Sequence, residues 1–248
     1  MFKIGFRSHF YPNEIEFCKK HGIEVLELIW EEHIFHRKDE IRNLNKNGPV
    51  RITAITMGVD FDFEQSKDYI EFSASLGCPV LVGHPAPVSY EDPEGIRRFV
   101  GNWTQIAQYG KKNGVKMAVH SCGLDPVSWD IMLGNVPDLY LKYDPSFTVY
   151  AGRSYVEDLV KYGKKVVHVH IKDALCTGRS TDFGETGLLK HRYTPAGMGD
   201  IKWGQIMNML YESDYQGDFA IETHSEFWGN NFEKDIILSK RHIEQFIV

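Results

Sequence analysis

Short apolar runs rich in β-branched residues alternate with longer amphipathic stretches along the whole chain. Apolar runs of this length predict buried strands, whereas a helical spacing of apolar positions predicts helices. The predicted strands are Phe2–Phe6, Glu24–Ile29, Arg51–Met57, Val80–His84, Lys116–His120, Leu139–Asp144, Val166–Ile171 and Phe219–Thr223. The predicted helices are Asn13–Lys20, Phe63–Leu76, Pro93–Asn113, Ser128–Leu133, Tyr155–Tyr162, Lys202–Ser213 and Phe232–Phe246. This alternation indicates parallel βαβ units.

The eight predicted strands, which alternate with helices, predict a single (β/α)8 TIM barrel that occupies residues 1–248 as one domain. No linker rich in proline, glycine or serine and no charge run divides the chain, and α/β barrels reach about 250 residues as one domain. The alternative is an open doubly wound sheet. That fold usually carries a glycine-rich phosphate loop after its first strand, and Arg7–Phe10 stands there instead.

Four of the predicted strands alternate apolar residues with polar ones. Successive strand residues point to opposite sides, and the outer helices require apolar partners, so the polar set should face the barrel axis. The last polar residues on these four strands are His120, Asp144, His170 and Glu222. The carboxyl ends of barrel strands meet at one mouth, where barrel active sites lie. We therefore expect the four side chains to converge.

Two imidazoles and two carboxylates predict a site for a divalent metal ion, with all four residues as ligands. Nitrogen and oxygen ligands suit Mn²⁺, Zn²⁺, Co²⁺ and Fe²⁺, and the absence of thiolate ligands argues against a structural zinc. We expect Mn²⁺, with Zn²⁺, Co²⁺, Mg²⁺ and Fe²⁺ as alternatives. The other interpretation is that the four side chains are buried polar groups that satisfy one another.

The amino-acid composition limits the kinds of partner that the protein is expected to bind. Lys+Arg 28 against Asp+Glu 34 gives a net charge of −6, which argues against a nucleic-acid partner because phosphate binding needs a basic surface. No apolar run approaches the roughly 20 residues of a membrane span, and the N-terminus lacks a signal-peptide pattern. Four cysteines without a C-x-x-C pair suit a reducing cytoplasm. We expect a cytoplasmic protein that acts on a small molecule, without a membrane partner.

Four stretches in combination resemble the xylose isomerase-like barrels of the sugar phosphate isomerase/epimerase superfamily, over essentially the whole chain. They are Leu139–Pro145, His168–Asp173, Pro195–Trp203 and Ile221–His224. The resemblance implies a carbohydrate substrate, a homo-oligomer, and a metal held by a Glu, an Asp, a His and a second Glu at the ends of strands five to eight. The last three of these match Asp144, His170 and Glu222.

Two positions depart from the family pattern. His120 stands where the first Glu is expected, and Phe147 stands where the family has a His three residues after the Asp. In the family's epimerases the two glutamates flank a C–H bond of the sugar and exchange its proton. A one-base isomerisation or a β-elimination would survive the change to His120.

The expected function is that of a divalent-metal-dependent isomerase or epimerase, which removes a proton next to the carbonyl of a keto-sugar. The alternative is a metal-dependent lyase or dehydratase that cleaves a keto-sugar or keto-glycoside by β-elimination. Glu222 is the predicted base, with His120 as ligand or partner base. A metal-dependent phosphodiesterase and a non-catalytic sugar-binding barrel are further rivals, and the net charge disfavours the phosphodiesterase.

Further residues near the predicted mouth are candidates for binding the substrate. They are His84, Lys142, Glu27, His9, Trp228 and Arg179. Lys142 either contacts substrate or pairs with Glu27 inside the barrel. Arg179 belongs to the stretch Leu175–Gly199, which is longer than the usual βα loop of about 2–6 residues and is expected to cover the site. Asp173 is expected to orient a metal ligand.

Overall fold

The computed structural model describes residues 2–58, 60–121, 124–179, 189–223 and 231–248. The barrel strands are β1 (Ile4–Ser8), β2 (Val25–Trp30), β3 (Arg51–Met57), β4 (Val80–Gly83), β5 (Lys116–His120), β6 (Leu139–Tyr143), β7 (Val166–Ile171) and β10 (Phe219–Ile221). They form a closed barrel in the order β1-β10-β7-β6-β5-β4-β3-β2. The predicted (β/α)8 fold is confirmed.

Helices follow the strands. They are α1 (Pro12–His21), α2 (Glu32–His36), α3 (Lys38–Asn47), α4 (Phe63–Ser75), α5 (Pro93–Lys112), α6 (Pro126–Asn135), α7 (Pro145–Tyr150), α8 (Tyr155–Tyr162), α9 (Trp203–Glu212) and α10 (Phe232–Glu244). All seven predicted helices are present, with ends that shift by at most two residues. Where the structure describes the chain, no helix is long and apolar enough to cross a membrane.

Three helices were not predicted, and each carries a weak periodic signal. α2 and α7 span 5 and 6 residues, which is too short to show a helical period. α3 has only two apolar residues, Ile41 and Leu44, and of these Ile41 is the one that is buried, so its apolar pattern is sparse.

The stretch Leu175–Gly199, expected as a loop, contains two further strands. β8 (Asp173–Arg179) and β9 (Leu189–Thr194) pair antiparallel outside the barrel, with Asp173 opposite Thr194. The loop prediction was wrong here because charged and polar residues interrupt the apolar alternation that marks a half-buried strand.

Contacts divide the chain into two compact units. One runs from Arg7 to Lys142, and the other contains Tyr143–Val248 and the N-terminal segment that ends at Phe6. In the first unit, β2, β3, β4, β5 and β6 pair in parallel in chain order. In the second, β10 lies between β1 and β7.

Candidate active site

Asp144 lies where β6 ends and α7 begins, and its side chain caps the helix. Oδ1 accepts hydrogen bonds from the backbone N–H of Ser146 at 2.9 Å and from its hydroxyl at 2.6 Å. Pro145 occupies the first helical position, where the missing N–H costs no helical hydrogen bond. Because α7 engages Oδ1, Oδ2 is the oxygen that contacts residues at the end of β7.

His170 and Lys172 bring the carboxylates of Asp144 and Glu222 together. His170 Nδ1 lies 3.2 Å from Glu222 Oε2 and 3.6 Å from Asp144 Oδ2. Lys172 Nζ lies 2.6 Å from the same Glu222 oxygen and 3.0 Å from the same Asp144 oxygen. All four residues are buried. The second unit therefore holds three of the predicted ligands in one cluster.

The cluster carries two carboxylates against one ammonium. Burial alone would raise the pKa of Asp144, but the neighbouring Lys172 and His170 hold it below its usual value. Burial also works to lower the pKa of Lys172, whereas the Asp144 and Glu222 carboxylates raise it, with a net upward shift. Asp144 and Lys172 are therefore both charged at neutral pH.

These residues fit a divalent metal ion. Asp144 Oδ2 and Glu222 Oε2 both lie within 3.6 Å of His170 Nδ1. Ligands bind zinc at about 2.0–2.2 Å, so neighbouring ligands of one ion lie about 3–3.5 Å apart. Two carboxylates and an imidazole also supply the mixed oxygen and nitrogen set that Mn²⁺, Zn²⁺, Co²⁺ and Fe²⁺ accept. The donor set matches a divalent cation in spacing, and its two carboxylates supply charge of the opposite sign.

His120 ends β5 and is 5% exposed. Its ring centroid lies 4.6 Å from that of His84, and the β5–β6 register places His120 opposite Lys142. His84 donates from Nδ1 to the Met57 carbonyl at 2.5 Å, and burial lowers the pKa of His84. The first unit thus packs two of the predicted site histidines against each other, with His84 favoured in its neutral form.

Lys142 and Glu27, both proposed as substrate contacts, bind each other. Lys142 Nζ donates to Glu27 Oε1 at 2.6 Å and lies 2.9 Å from Thr56 Oγ1. Thr56 Oγ1 donates to the same Glu27 oxygen at 2.6 Å. The Lys142 and Glu27 side chains are at most 1% exposed. The structure thus contains the ion pair between Lys142 and Glu27 inside the barrel, which was the alternative to a contact between Lys142 and substrate.

His9 is half-buried just after β1, and a carboxylate fixes its orientation. Its Nδ1 lies 2.9 Å from Glu31 Oε1, and His33 Nδ1 lies 3.3 Å from the other oxygen of Glu31. The Tyr11 ring stacks on both imidazoles at 5.7 Å. His9 therefore belongs to a partly exposed cluster of rings around Glu31.

Two predicted substrate contacts cannot be placed in this arrangement. Trp228 lies outside the described residues. Arg179 ends β8, and its side chain is also outside the described part of the chain.

Asp173 holds the loop Pro195–Trp203, contrary to the expectation that it orients a metal ligand. Its carboxylate accepts hydrogen bonds from the backbone N–H groups of Ala174, Gly197 and Ile201 and from the indole of Trp203, at 2.8–3.2 Å. Burial raises the pKa of Asp173, and these donors oppose that shift. A β-carbon at Gly199 would collide with this carboxylate, so a glycine at this position lets the loop approach Asp173 closely.

The family of this protein is shown by a sequence match along most of the chain. Residues 15–242 match the xylose isomerase-like TIM barrel family. The chain belongs to this family. The resemblance noted in the sequence is thereby confirmed, and the cluster of Asp144, His170, Lys172 and Glu222 lies at the ends of β6, β7 and β10.

Among curated relatives of this xylose isomerase-like barrel is an inosose dehydratase from Clostridium perfringens. It is 27% identical over 195 residues, which cover 66% of this chain and 64% of the relative. The chain thus spans just under two thirds of the length of that relative.

Solved structures share the fold over nearly the full length. The IolI protein, solved with a bound zinc atom, has a TM-score of 0.76 and 19% identity, with 99% of each chain covered. A sugar phosphate isomerase/epimerase from Parabacteroides distasonis has a TM-score of 0.77 and 17% identity, with 100% of this chain and 96% of that chain covered. At these identities the likeness establishes the fold, and reactions differ among proteins of one fold.

Lys172 is a site residue that the sequence did not single out. The signal was present, because residues 168, 170 and 172 share one side of β7 and its extension. A lysine one residue beyond a strand is usually solvated, and only the structure shows that Lys172 Nζ reaches both carboxylates.

Proposed function

We propose that this protein is a divalent-metal-dependent lyase that dehydrates a polyhydroxylated ketone by removing the proton next to its carbonyl. The cluster of Asp144, His170 and Glu222 carries the proposal, because it joins a metal-ligand set to a carboxylate that can act as a base. Elimination is favoured over epimerisation because His120 replaces the family's first Glu and because curated relatives are dehydratases.

Glu222 is assigned as the base. A hydrogen bond from Lys172 and contact with His170 hold its Oε2, so the carboxylate is oriented, and at 8% exposure it is shielded from bulk water. A carbon acid next to a carbonyl needs such a positioned base. A bound metal ion would supply Lewis-acid stabilisation of the negative charge on the substrate oxygen. The β-hydroxyl then leaves with its bonding electrons and takes up the proton that Glu222 removed, so one water and an unsaturated ketone are formed.

His120 is assigned as the fourth ligand and as the second candidate for proton transfer. It ends β5, and the carboxyl ends of barrel strands face the site in this fold. His84 and His9 follow β4 and β1 and are assigned to the substrate. Trp228 and Arg179 remain substrate-binding proposals from the sequence. We propose Mn²⁺ as the metal and the cytoplasm as the compartment. From the family pattern we also propose that the chain forms one domain and assembles as a homo-oligomer.

Isomerisation or epimerisation of a keto-sugar is the second candidate. One solved structure of the same fold is a sugar phosphate isomerase/epimerase. Both reactions begin with the same proton abstraction, so a single assay can distinguish them.

Incubation of polyhydroxylated ketones with the Mn²⁺-loaded protein in D₂O distinguishes the reactions. We expect an unsaturated ketone, formed with loss of water and seen by NMR and by its ultraviolet absorbance. A chelator-treated sample is the control and should form none. Deuterium next to the carbonyl of an intact skeleton would instead establish isomerisation. Absence of both exchange and product for every ketone would favour a binding protein.

A further inference from the structure

Lys172 is a buried ammonium enclosed by two carboxylates and two aromatic rings. Its Nζ lies 2.6 Å from Glu222 Oε2 and 3.0 Å from Asp144 Oδ2. The same atom lies 4.3 Å from the Phe147 ring centroid and 4.6 Å from that of Tyr193. The residue is 3% exposed. Helix α7, strand β9 and the segments after β6, β7 and β10 all contribute to this cage.

The cage compensates the cost of burying a charge. A lysine ammonium is strongly hydrated, and removing it from water is expensive unless charged and hydrogen-bonding partners replace the water. The two carboxylates supply opposite charge, and the faces of the two rings attract a cation. The ammonium of Lys172 is therefore held in a position built for a cation.

The two oxygens that Lys172 contacts are the ones a metal ion would need. Oδ1 of Asp144 is engaged by Ser146, so Oδ2 serves both Lys172 and His170. Oε2 of Glu222 likewise lies 2.6 Å from Lys172 and 3.2 Å from His170. An ion bound beside His170 would thus share both of its carboxylate ligands with the ammonium.

Phe147 links the cage to the departure of this chain from its family. The resemblance to the family implies a histidine at this position, and here a phenylalanine ring faces the ammonium instead. A phenylalanine face attracts the cation, whereas a protonated imidazole would repel it. Phe147 and Lys172 therefore form a cation–π pair within the cage.

We propose that Lys172 is a built-in counter-cation of the metal site. As a positioning residue, it holds the carboxylates of Asp144 and Glu222 side by side before the ion binds, and its charge weakens their attraction for the ion. The metal then binds reversibly to a site that is already assembled. This inference rests on the proposed function, because it concerns the same metal site.

The variant Lys172→Met tests the proposal through two measurements on purified protein. Titration calorimetry with Mn²⁺ and Zn²⁺ reports metal affinity, and urea unfolding of the chelator-treated protein reports stability. We expect metal affinity to rise by about tenfold or more, because a positive charge next to the ion is gone. We expect the metal-free protein to unfold at lower urea, because the two carboxylates lose their counter-cation. A merely structural lysine would lower both quantities.

Lys172→Arg is the matched control, since it keeps the charge and should leave metal affinity within a few-fold of the unaltered protein. If Lys172→Met does not fold, Lys172→Gln is measured in its place, because its amide can still donate to Glu222. The same rise in metal affinity is expected. Folded variants that bind the ion no more tightly than the unaltered protein would overturn the role of Lys172 alone. An unaltered protein that takes up no ion would contradict the proposed function as well.

Discussion

Replacement of Glu222 by glutamine is expected to reduce turnover by about 10²–10⁴-fold, the contribution that a positioned general base makes. Glutamine has nearly the same shape, and its amide oxygen can still accept hydrogen bonds from Lys172, so the fold should persist. The amide cannot take a proton from carbon. Steady-state kinetics on the ketone identified in D₂O, with excess Mn²⁺, measure the effect, and the loss should fall on kcat.

Asp144→Asn is the matched control for Glu222→Gln, because it weakens a ligand and leaves the base in place. Excess Mn²⁺ should restore part of the activity of Asp144→Asn and none of the activity of Glu222→Gln. A Glu222→Gln variant with unaltered kcat would remove Glu222 from the chemistry and return the choice of base to His120.

Lys142→Met is expected to lower the free energy of unfolding by about 3–5 kcal/mol, the usual result of breaking a buried ion pair from one side. The substitution leaves the Glu27 carboxylate, which is fully buried, without the ammonium at 2.6 Å. The Thr56 hydroxyl still donates to Glu27 Oε1, but a hydroxyl does not neutralise the carboxylate. Urea unfolding at neutral pH measures the change.

The double variant Lys142→Met/Glu27→Leu tests whether the pair is structural. Replacing both charges with apolar side chains removes the unpaired carboxylate, so most of the lost stability should return. If Lys142 instead binds substrate, the single variant would keep its stability and show a raised KM. That outcome would contradict the structural role that the 2.6 Å contact assigns.

The barrel and part of its site could be predicted because strand alternation is a local property. On β7 the sequence Val-Val-His-Val-His-Ile shows directly which residues share a side, and His170 then lies with Asp144 and Glu222 in the structure. Because barrel strands are parallel, the carboxyl end of each predicted strand also indicates the end where a site lies.

The partners of a charged residue, in contrast, are not a local property. Lys172 and Asp173 are adjacent in sequence, yet Lys172 binds the carboxylates of the site, while Asp173 binds the backbone of the loop Pro195–Trp203. The spacing of residues along a strand cannot distinguish these two sets of contacts, because each set involves elements that are distant in the sequence. The cage ring Tyr193 belongs to β9, a strand that the sequence did not predict.

Metal content measured on protein purified without chelator tests the central claim most directly. Elemental analysis by mass spectrometry should find close to one divalent ion per chain, and Asp144→Asn prepared in the same way should have lost most of it. A native protein that carries no divalent ion, and takes up none when Mn²⁺ or Zn²⁺ is titrated into it, would contradict the metal-dependent mechanism.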